Sequence, residues 1–481
     1  MKHMTLTEIA AACGGTYFGD PESAAKEVSS VVIDSRKVEK DSLFIAIRGA
    51  RVDGHNFIPQ TIEAGALCAV SEKNLGMVPH PYILVDSCEQ ALKDIAEHYR
   101  CSLDIKVVGI TGSVGKTSTK EMIASVLSQK YNVLKTEGNF NNEIGLPLTI
   151  FNIREEHEIA VLEMGISHFG DMPRLAKIAQ PDICVITNIG YAHLENLQSR
   201  DGILLEKTKM CSYMRPDGHM IFNGDDDKLA GYVPENGATP IYFGLQTDHP
   251  FHAVQIDNLG MRGTMATFVT PDSSFQAHIS IPGDHMVYNA LAGTAVGYAL
   301  GMNDAEIKAG IEALVPLAGR GRLIETDKFT IIDDCYNANP ASMKSSLDVL
   351  AKAEGRKTAI LGDMFELGEN EKEMHHEIGA YAAAAGIDVL VCIGQLAKCM
   401  AEGAKTCANI HVRHFDTKTD FFAAIDQILE PKDTILVKAS HGMAFSEIVD
   451  ILENSLSNDR CGTMHRKSDN LQSIPAVSHT R

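Results

Sequence analysis

No apolar run in this 481-residue sequence is long enough to cross a lipid bilayer. The N-terminal stretch MKHMTLTEIAAACGG also lacks the long apolar segment that a secretory signal peptide needs. These two absences predict a cytoplasmic protein that does not insert into membranes.

Positive charge is also scarce in this sequence. The chain has 43 lysine and arginine residues against 63 aspartate and glutamate residues, which gives a formal net charge of −20. Such a balance disfavours non-specific binding to nucleic acids and to anionic membranes, so we expect neither as a partner. An anionic substrate would need local groups of lysine, arginine and helix N-termini.

The sequence lacks C-x-x-C pairs, although it contains 11 cysteines. Zinc sites commonly show such pairs, and disulfide frameworks belong to oxidising compartments. We therefore expect free, buried thiols in a reducing compartment, which agrees with the cytoplasmic location predicted above.

What the sequence does contain is an alternation of short β-rich runs and helical patterns, which is typical of an α/β fold. Its length and its 44% hydrophobic content suit about three globular domains. We predict a small N-terminal α/β domain at residues 1–103, a central P-loop mononucleotide-binding α/β domain at 104–316 and a C-terminal Rossmann-like α/β domain at 317–457. Residues 458–481 are polar and aperiodic, which predicts a disordered tail.

The most specific pattern is GSVGKTS at residues 112–118, between an apolar β-rich run at 105–110 and a helical pattern. A glycine turn between a strand and a helix N-terminus forms a cradle for anions. Lys116 would bind β- and γ-phosphates there, and the Thr117 hydroxyl would bind Mg²⁺. The loop is shorter than the general pattern, because Ile110 stands where that pattern has its first glycine. The residues predicted to bind ATP are Gly112, Ser113, Val114, Gly115, Lys116, Thr117 and Ser118.

Polar residues follow the next predicted strands. Glu163 and His193 each come just after the C-terminal end of a strand, and such ends face one crevice in a parallel sheet. We expect both side chains beside the phosphate loop, where Glu163 would bind Mg²⁺. The loop at 136–147 is rich in asparagine and glycine and lies beside the same crevice, where substrate contacts are usual. The asparagines predicted to contact substrate are Asn139, Asn141 and Asn142.

Two lysines, Lys207 and Lys209, lie on a predicted helix at residues 200–214. Lysines on a helix normally form a solvated face, and nothing in the local sequence indicates otherwise. From the residues alone we therefore interpret both as surface charges.

The N-terminal domain offers a weaker pattern. Ser35 and Arg36 follow a short β-rich run, and residues 53–57 form a polar loop that begins with Asp53, Gly54 and His55. Locally, a common turn is the favoured interpretation, and a site for a phosphorylated or nucleotide-bearing substrate is the alternative.

The C-terminal domain has polar clusters after its predicted strands, at residues 333–340, 362–368 and 438–442. It has no glycine-rich phosphate loop of its own. We therefore expect it to supply a second substrate site and a moving lid rather than a second nucleotide site.

Several motifs occur together and in order: T-G-S-V-G-K-T, G-N-F-N-N-E-I-G-L-P-L-T, E-M-G, N-I-G-Y-A-H-L-E and D-D-C-Y-N-A-N-P-A-S-M. Over residues 25–455 the chain resembles the Mur ligase superfamily, the ATP-dependent amide-forming enzymes of peptidoglycan and cell wall biogenesis. The segments around 334 and 363 most resemble the last member of that series. The resemblance implies a ligase that joins D-alanyl-D-alanine to a UDP-N-acetylmuramoyl-tripeptide through an acyl phosphate.

The resemblance also implies roles for single residues. Asn289 would approach the adenine, and Arg322 and Asp334 would reach the nucleotide from the C-terminal domain. Lys207 would be carbamylated, and the added negative charge would let it bind a second Mg²⁺. Implied metal ligands are Thr117, Glu163, His193 and Lys207, and implied catalytic residues are Lys116, Lys207 and His193. Implied contacts of the uridine nucleotide or the other substrate are Ser35, Arg36, Asp53, Gly54, His55, Tyr336, Asn337 and Asn339.

The chain departs from the family pattern at two positions. Lys209 stands where a glutamate is common, which makes it the alternative site of modification. His441 stands where an arginine is usual, which bears on how the carboxylate of the dipeptide is held.

Other functions stay open at this point. The chain could be a sibling ligase that adds one amino acid, or a folylpolyglutamate synthetase, although the N-A-N-P-A-S-M segment argues against both. It could also be a nucleotide-binding switch or scaffold, although the N-K-x-D element that reads guanine is missing. We expect a monomer.

Overall fold

The computed structural model describes residues 1, 4–49, 51–234, 237–405 and 409–454. The predicted tail at 458–481 lies outside these ranges. The described residues form three β-sheets with helices packed against them, so the predicted α/β class is confirmed. None of the described helices is long and apolar enough to span a membrane.

The N-terminal sheet has five strands in the order β1-β5-β4-β3-β2. Only its edge pair β1 and β5 runs antiparallel; the other described pairs run parallel. Its strands are β1 (Thr16–Phe18), β2 (Val31–Val32), β3 (Leu43–Ile45), β4 (Cys68–Ser71) and β5 (Tyr82–Leu84). Its helices are α1 (Leu6–Ala12), α2 (Pro21–Ala24), α3 (Ile58–Glu63) and α4 (Cys88–Ser102), with 3₁₀ turns at Ser35–Lys37 and Gly54–Phe57.

The middle sheet has nine strands in the order β14-β13-β12-β11-β10-β9-β6-β8-β7, and it runs parallel from β7 to β12. Its strands are β6 (Lys106–Thr111), β7 (Val133–Lys135), β8 (Ile159–Glu163), β9 (Ile183–Ile186), β10 (His219–Asn223), β11 (Ile241–Gly244), β12 (Phe251–Asn258), β13 (Thr264–Val269) and β14 (Ser274–Ile279). Its helices are α5 (Lys116–Leu127), α6 (Gly145–Ile150), α7 (Asp171–Ala179), α8 (Leu194–Leu197), α9 (Arg200–Thr208), α10 (Asp227–Ala230), α11 (His285–Ala299) and α12 (Asp304–Glu312). Two 3₁₀ turns lie at Lys209–Tyr213 and Gly260–Arg262.

The C-terminal sheet has six strands in the order β15-β16-β20-β17-β18-β19, parallel except for the edge pair β15 and β16. Its strands are β15 (Arg322–Glu325), β16 (Thr330–Asp333), β17 (Lys357–Gly362), β18 (Val389–Ile393), β19 (His411–Phe415) and β20 (Thr434–Lys438). Its helices are α13 (Pro340–Ala351), α14 (Glu371–Ala384), α15 (Ala397–Ala404), α16 (Lys418–Ala424) and α17 (Ser446–Asn454). Three 3₁₀ turns lie at Gly368–Asn370, Ile425–Gln427 and His441–Met443.

The central strands of the middle sheet are apolar on both faces. In β6, Val107 packs into one hydrophobic cluster and Val108 into another, and in β8 Leu162 and Val161 divide in the same way. Helices cover both faces of such a sheet, which explains why these strands read as continuous apolar runs.

Element bounds differ from the expectations in a few places. The predicted helix at 200–214 ends at Thr208, where a 3₁₀ turn takes over. The limits predicted at 103 and 316 fall between α4 and β6 and between α12 and β15, and as domain boundaries they stay predictions.

Candidate functional site

A cavity of about 840 Å³ lies between the middle and C-terminal sheets. Its wall includes the segments that follow β6, β8 and β9 in one sheet and β16 and β20 in the other. In both sheets these segments follow the carboxyl ends of parallel strands, and ligands bind at such ends in open α/β sheets. A volume of this size fits a nucleotide-sized ligand.

The glycine turn after β6 forms one side of the cavity. Gly112 is close to the next strand: a Cβ atom there would lie 1.9 Å from Oγ1 of Thr187. Gly115 has a φ of 81° and precedes α5, whose start has no side-chain cap. The first N–H groups of that helix therefore remain for an anion.

Lys116 lines the cavity and folds back over the loop. Its Nζ donates a hydrogen bond to the carbonyl oxygen of Gly112 at 2.9 Å. The pKa of Lys116 lies below its usual value, chiefly because the ammonium is buried. Nearby Glu163 opposes this shift, and nearby Arg320 adds to it. A phosphate in the cavity would give this ammonium a better partner than a carbonyl oxygen.

Glu163 is 2% exposed at the end of β8. Its Oε1 accepts a hydrogen bond from Nδ2 of Asn141 at 2.8 Å, and its backbone N–H donates to Oγ1 of Thr136 at 3.0 Å. Its Oε2 is buried and has no hydrogen-bond donor among the described residues. A buried carboxylate oxygen without a donor suits a cation, and oxygen is the ligand type that Mg²⁺ prefers.

In the described part of the chain, no three His, Cys, Asp or Glu side chains stand close enough together to hold a metal ion. Mg²⁺ usually binds through one or two carboxylates, phosphate oxygens and waters, so a site built on Glu163 still fits this ion. His193 also lines the cavity, and its Nδ1 lies 2.8 Å from Oε2 of Glu366. The two atoms are in close contact, although the contact is poorly aligned for a hydrogen bond.

Arg320 extends from the C-terminal domain to the phosphate loop. Its Nη2 donates to Oγ1 of Thr117 at 3.2 Å, and its guanidinium lies 3.9 Å from the centre of the Tyr336 ring. Arg322, the arginine singled out from the sequence, is not among the cavity-lining residues; its Nε lies 3.4 Å from Oδ2 of Asp333. Of these two arginines, Arg320 is therefore the one that contacts the phosphate loop.

Buried Lys438 pairs with the partly exposed Asp334 on the C-terminal side of the cavity. The two charged groups are 2.6 Å apart, and Ser346 Oγ also donates to Oδ2 of Asp334 at 2.5 Å. Lys438 donates to the carbonyl oxygen of Asn337 at 3.1 Å. Asn339 caps α13 by accepting a hydrogen bond from the N–H of Ser342.

Other predicted residues also line the cavity. Asn289 is buried on α11, and its Oδ1 accepts a hydrogen bond from the Thr119 hydroxyl at 2.8 Å, which ties α11 to α5. The structure brings into this one cavity Ser113, Val114, Gly115, Lys116, Thr117, Ser118, Asn139, Asn141, Asn142, Glu163, His193, Asn289, Asp334, Tyr336, Asn337 and Asn339.

Lys207 is not a surface charge, and the interpretation from local sequence is wrong. Its side chain is 1% exposed, and burial together with nearby Lys116 lowers its pKa well below the usual value, while Glu206 opposes the shift. Lys209 is the more exposed of the two and forms an ion pair with Glu206 at 2.7 Å. The fold, rather than the helical pattern, decides which lysine is buried.

The predicted N-terminal residues lie outside this cavity. Arg36 is 84% exposed and pairs with Asp34, whose pKa it lowers to about 2. His55 is buried; its Nδ1 lies 2.6 Å from Oδ1 of Asp53, and its Nε2 accepts the N–H of Glu72. Gly54 is confined as well, because a Cβ atom there would lie 2.6 Å from the carbonyl oxygen of Ile47. Ser35 begins the 3₁₀ turn beside Arg36.

Sequence reasoning missed several cavity residues. They include Arg200, Tyr288 and Arg320. Arg320 lies in the segment G-R-G-R, which reads as a hinge, and its neighbour Arg322 has the same chemistry. Nothing local distinguishes the two.

Three family models match this chain. Residues 27–100 match the catalytic domain of the Mur ligase family, residues 110–297 match the Mur ligase middle domain, and residues 319–441 match the glutamate ligase domain of Mur ligases. Together these matches cover segments of all three sheets.

The chain is also similar to named proteins over nearly its whole length. It is 39% identical to the UDP-N-acetylmuramoyl-tripeptide–D-alanyl-D-alanine ligase of Bacillus subtilis, across 95% of this chain and 100% of that protein. Among solved structures, MurF from Acinetobacter baumannii aligns with a TM-score of 0.85 at 30% identity, over 94% of this chain and 99% of the other. The MurF ligase from Thermotoga maritima in complex with ADP aligns with a TM-score of 0.80 at 30% identity, over 90% and 98%.

Proposed function

We propose, because this chain belongs to the Mur ligase family, that it joins D-alanyl-D-alanine to a UDP-N-acetylmuramoyl-tripeptide. It is an ATP-dependent, ADP-forming ligase of peptidoglycan precursor synthesis. The observation that carries the proposal is the near full-length match to ligases of this one name. The cavity between the two larger sheets supports it, because it combines a phosphate loop with polar groups from a second domain.

The reaction has to make a poor electrophile reactive. A carboxylate resists attack by an amine, so ATP first transfers its γ-phosphoryl group to the terminal carboxylate of the tripeptide. The amine of D-alanyl-D-alanine then attacks the acyl phosphate, an amide bond forms and inorganic phosphate leaves. Such a transfer is driven by positioning and by stabilisation of charge, which suits Lys116 and the N-terminus of α5.

Thr117, Glu163 and His193 would hold Mg²⁺ in this site. The ion would neutralise charge on the phosphate oxygens and orient them. The buried, donor-free Oε2 of Glu163 supports this assignment. Asn141 fixes the other oxygen of the same carboxylate, so the side chain has a defined orientation.

Lys207 would carry a carbamate and hold a second Mg²⁺. An amine reacts with carbon dioxide only in its neutral form, and burial favours that form at this position. Lys209 is the weaker candidate because its ammonium is paired with Glu206. The support for Lys207 is therefore its burial and lowered pKa.

On the C-terminal side we assign the phosphate-directed arginine to Arg320 rather than Arg322. Arg320 already contacts Thr117, whereas Arg322 pairs with Asp333. Asp334 would contact the nucleotide, and Asn289 the adenine. Tyr336, Asn337 and Asn339 would contact the peptide substrates.

The uridine nucleotide would bind outside the cavity, near Ser35, Arg36 and the 3₁₀ turn at Gly54–Phe57. Asp53 holds His55 in place there, and Arg36 offers an exposed guanidinium. We further propose that the enzyme acts in the cytoplasm as a monomer.

A mixing experiment tests the activity. ATP, Mg²⁺, the UDP-linked tripeptide and D-alanyl-D-alanine are incubated with the protein, and the product is identified by mass spectrometry. We expect one product, heavier than the tripeptide nucleotide by one dipeptide less water, together with one phosphate per product. Omission of any one reactant should stop steady phosphate release.

Two results would contradict the proposal. Product formed equally well with single amino acids would indicate a sibling ligase. ATP binding without any product from the complete mixture would indicate a nucleotide-binding protein of another kind.

A further inference from the structure

A loop of the C-terminal domain presents a carboxylate to the middle domain. Glu366 follows β17, and its Oε2 lies 2.8 Å from Nδ1 of His193. We propose that Glu366 is a positioning residue that orients the His193 imidazole and so couples docking of the C-terminal domain to assembly of the metal site. The identity of the metal rests on the proposed function, whereas the contact and its effect on domain docking do not.

The loop that carries Glu366 has a fixed backbone. The N–H of Met364 donates to Nε2 of His375, which is fully buried, and the N–H of Phe365 donates to Oγ of Ser440. Asp363 accepts the N–H of Ala397 and so ties the start of the loop to α15. A carboxylate held by such a loop has a defined position relative to the C-terminal sheet.

The backbone is unusual on both sides of the contact. Glu366 has a φ of 62° and His193 a φ of 59°, both in the left-handed region. Residues other than glycine seldom adopt this conformation, and where they do they concentrate at functional sites. That both partners of one interdomain contact adopt it argues against a chance meeting of two surface side chains.

The chemistry of the contact suits a metal ligand. When Nδ1 of a neutral imidazole faces a carboxylate, Nε2 is the nitrogen left for a metal ion, and the nearby negative charge favours that orientation of the ring even without an aligned hydrogen bond. His193 lines the same cavity as Glu163, whose Oε2 lacks a donor among the described residues. Because Glu366 and His193 belong to different domains, separation of these domains would remove this orientation.

The alternative is an ordinary surface ion pair. The Glu366 side chain is 61% exposed, and exposed pairs contribute little to stability. A surface pair of that kind would change neither metal affinity nor the distance between domains. These two quantities therefore distinguish the interpretations.

The experiment compares three variants with the wild type. Glu366→Ala removes the carboxylate, Glu366→Gln keeps an oxygen acceptor without the charge, and Glu369→Gln is the control because Glu369 is exposed on the next 3₁₀ turn. Small-angle X-ray scattering of the metal-free proteins gives the radius of gyration. Electron paramagnetic resonance with Mn²⁺ and ADP gives the metal affinity, and thermal melts check that each variant folds.

We expect Glu366→Ala to show a larger mean radius of gyration without metal. Its Mn²⁺ affinity should be about tenfold lower than that of the wild type. This is the lower end of the range for residues that support a metal ligand, because Glu366 is partly exposed. Glu366→Gln should show smaller changes of the same sign, and Glu369→Gln should match the wild type. If Glu366→Ala does not fold, Glu366→Gln alone decides.

Equal radius and equal Mn²⁺ affinity in both Glu366 variants and the control would overturn the inference, even if turnover fell. A wild-type protein that forms no amide product, but whose Glu366 variants show the expected changes, would overturn the proposed function and support this inference.

Discussion

One of the three N–H groups of the Lys116 ammonium donates to the Gly112 carbonyl oxygen, and the other two remain for a phosphate. We therefore expect Lys116 to contribute to the binding and reaction of ATP and to contribute little to the stability of the protein without ATP. We expect Lys116→Ala to lower turnover at least about 100-fold, the usual effect of removing a group that stabilises transition-state charge. Coupled phosphate release measures this loss.

The control for that substitution is Lys398→Ala, which changes an exposed lysine on α15. Its turnover should equal that of the wild type, and both variants should melt normally. Near-normal turnover of Lys116→Ala would remove the assignment of the phosphate loop.

Lys207 permits a second test at the level of one residue. Lys207→Ala should lose activity, because the proposed carbamate could not form there. It should regain part of this activity when short carboxylic acids are added that place a carboxylate in the vacated space. Turnover with and without added acid measures the effect. Lys209→Ala is the matched comparison.

If Lys209→Ala is the variant that needs the added acid, the modification belongs to Lys209. Mass spectrometry of the native protein, recorded under carbon dioxide, then has to show the added mass on that residue.

Among the elements, the turn between β6 and α5 is tightly confined. A Cβ atom on Gly112 would lie 1.9 Å from the Thr187 hydroxyl at the end of the neighbouring strand. Gly112→Ala should push these segments apart, cost about 1–3 kcal/mol of stability and weaken ATP binding. Calorimetric titration with ADP and a thermal melt measure the two effects.

Gly231→Ala provides a matched glycine substitution, because its Cβ atom would meet nothing closer than Asp227 O at 3.8 Å and its φ is negative. It should leave binding and melting unchanged. Unaltered ADP binding by Gly112→Ala would show that the turn is not the phosphate site.

The loop after β17 gives a prediction of pH dependence. Burial lowers the pKa of His375, so the folded protein keeps this residue neutral at a pH where the unfolded chain already protonates it. The unfolded state then binds more protons, and stability rises with pH. The contribution of His375 is complete above its unfolded pKa and declines as the pH falls towards the folded value.

His375→Gln tests this sign, because glutamine offers an acceptor to the N–H of Met364 but does not titrate. Melting temperatures measured from pH 7 down to pH 5 should fall less steeply for the variant than for the wild type. Parallel curves would contradict the prediction.

The elements also show what local sequence can and cannot predict. The strand-turn-helix around Gly112 follows from spacing alone, since strand, glycines and helix start are adjacent in the chain. Strand Phe251–Asn258 has no clear local pattern, because its second half carries polar residues such as Asp257 and Asn258, which are depleted in strands. That half is a strand through its pairing with Thr264–Val269, which no local pattern reveals.

Side-chain environment is harder to predict than element type. Lys207 and Lys209 lie two positions apart on one helical segment, and only the packing of α9 against its neighbours buries the first. In the same way, Arg322 is the first residue of β15, whereas Arg320 lies two positions before that strand and contacts Thr117. The family motifs locate the cavity, but three-dimensional packing decides which residue of such a pair enters it.

At the scale of the whole molecule, Arg100 joins the N-terminal domain to the middle domain. Its side chain is fully buried and donates hydrogen bonds to the carbonyl oxygens of Ala179 and Gln180 at the end of α7. Arg100→Met keeps the apolar volume but leaves these oxygens without that donor, which should cost about 3 kcal/mol. The shift in the chemical denaturation midpoint measures the loss.

Arg413→Met is the control, since Arg413 is exposed on β19. The Arg100 variant should also become more sensitive to proteolysis between the first two domains. A midpoint equal to that of the control would show that the buried guanidinium does not hold these domains together.

The polar groups around Asp53 lie outside the cavity that contains the phosphate loop. A substrate that binds at both places must span the distance between them, so the enzyme would select its substrate by length as well as by its terminal residue. A nucleotide with a shorter peptide would leave its terminal carboxylate too far from the ATP, even with the correct last residue. A longer peptide would place that carboxylate beyond the ATP. The spacing of the two domains would then enforce the order in which residues are added to the growing precursor.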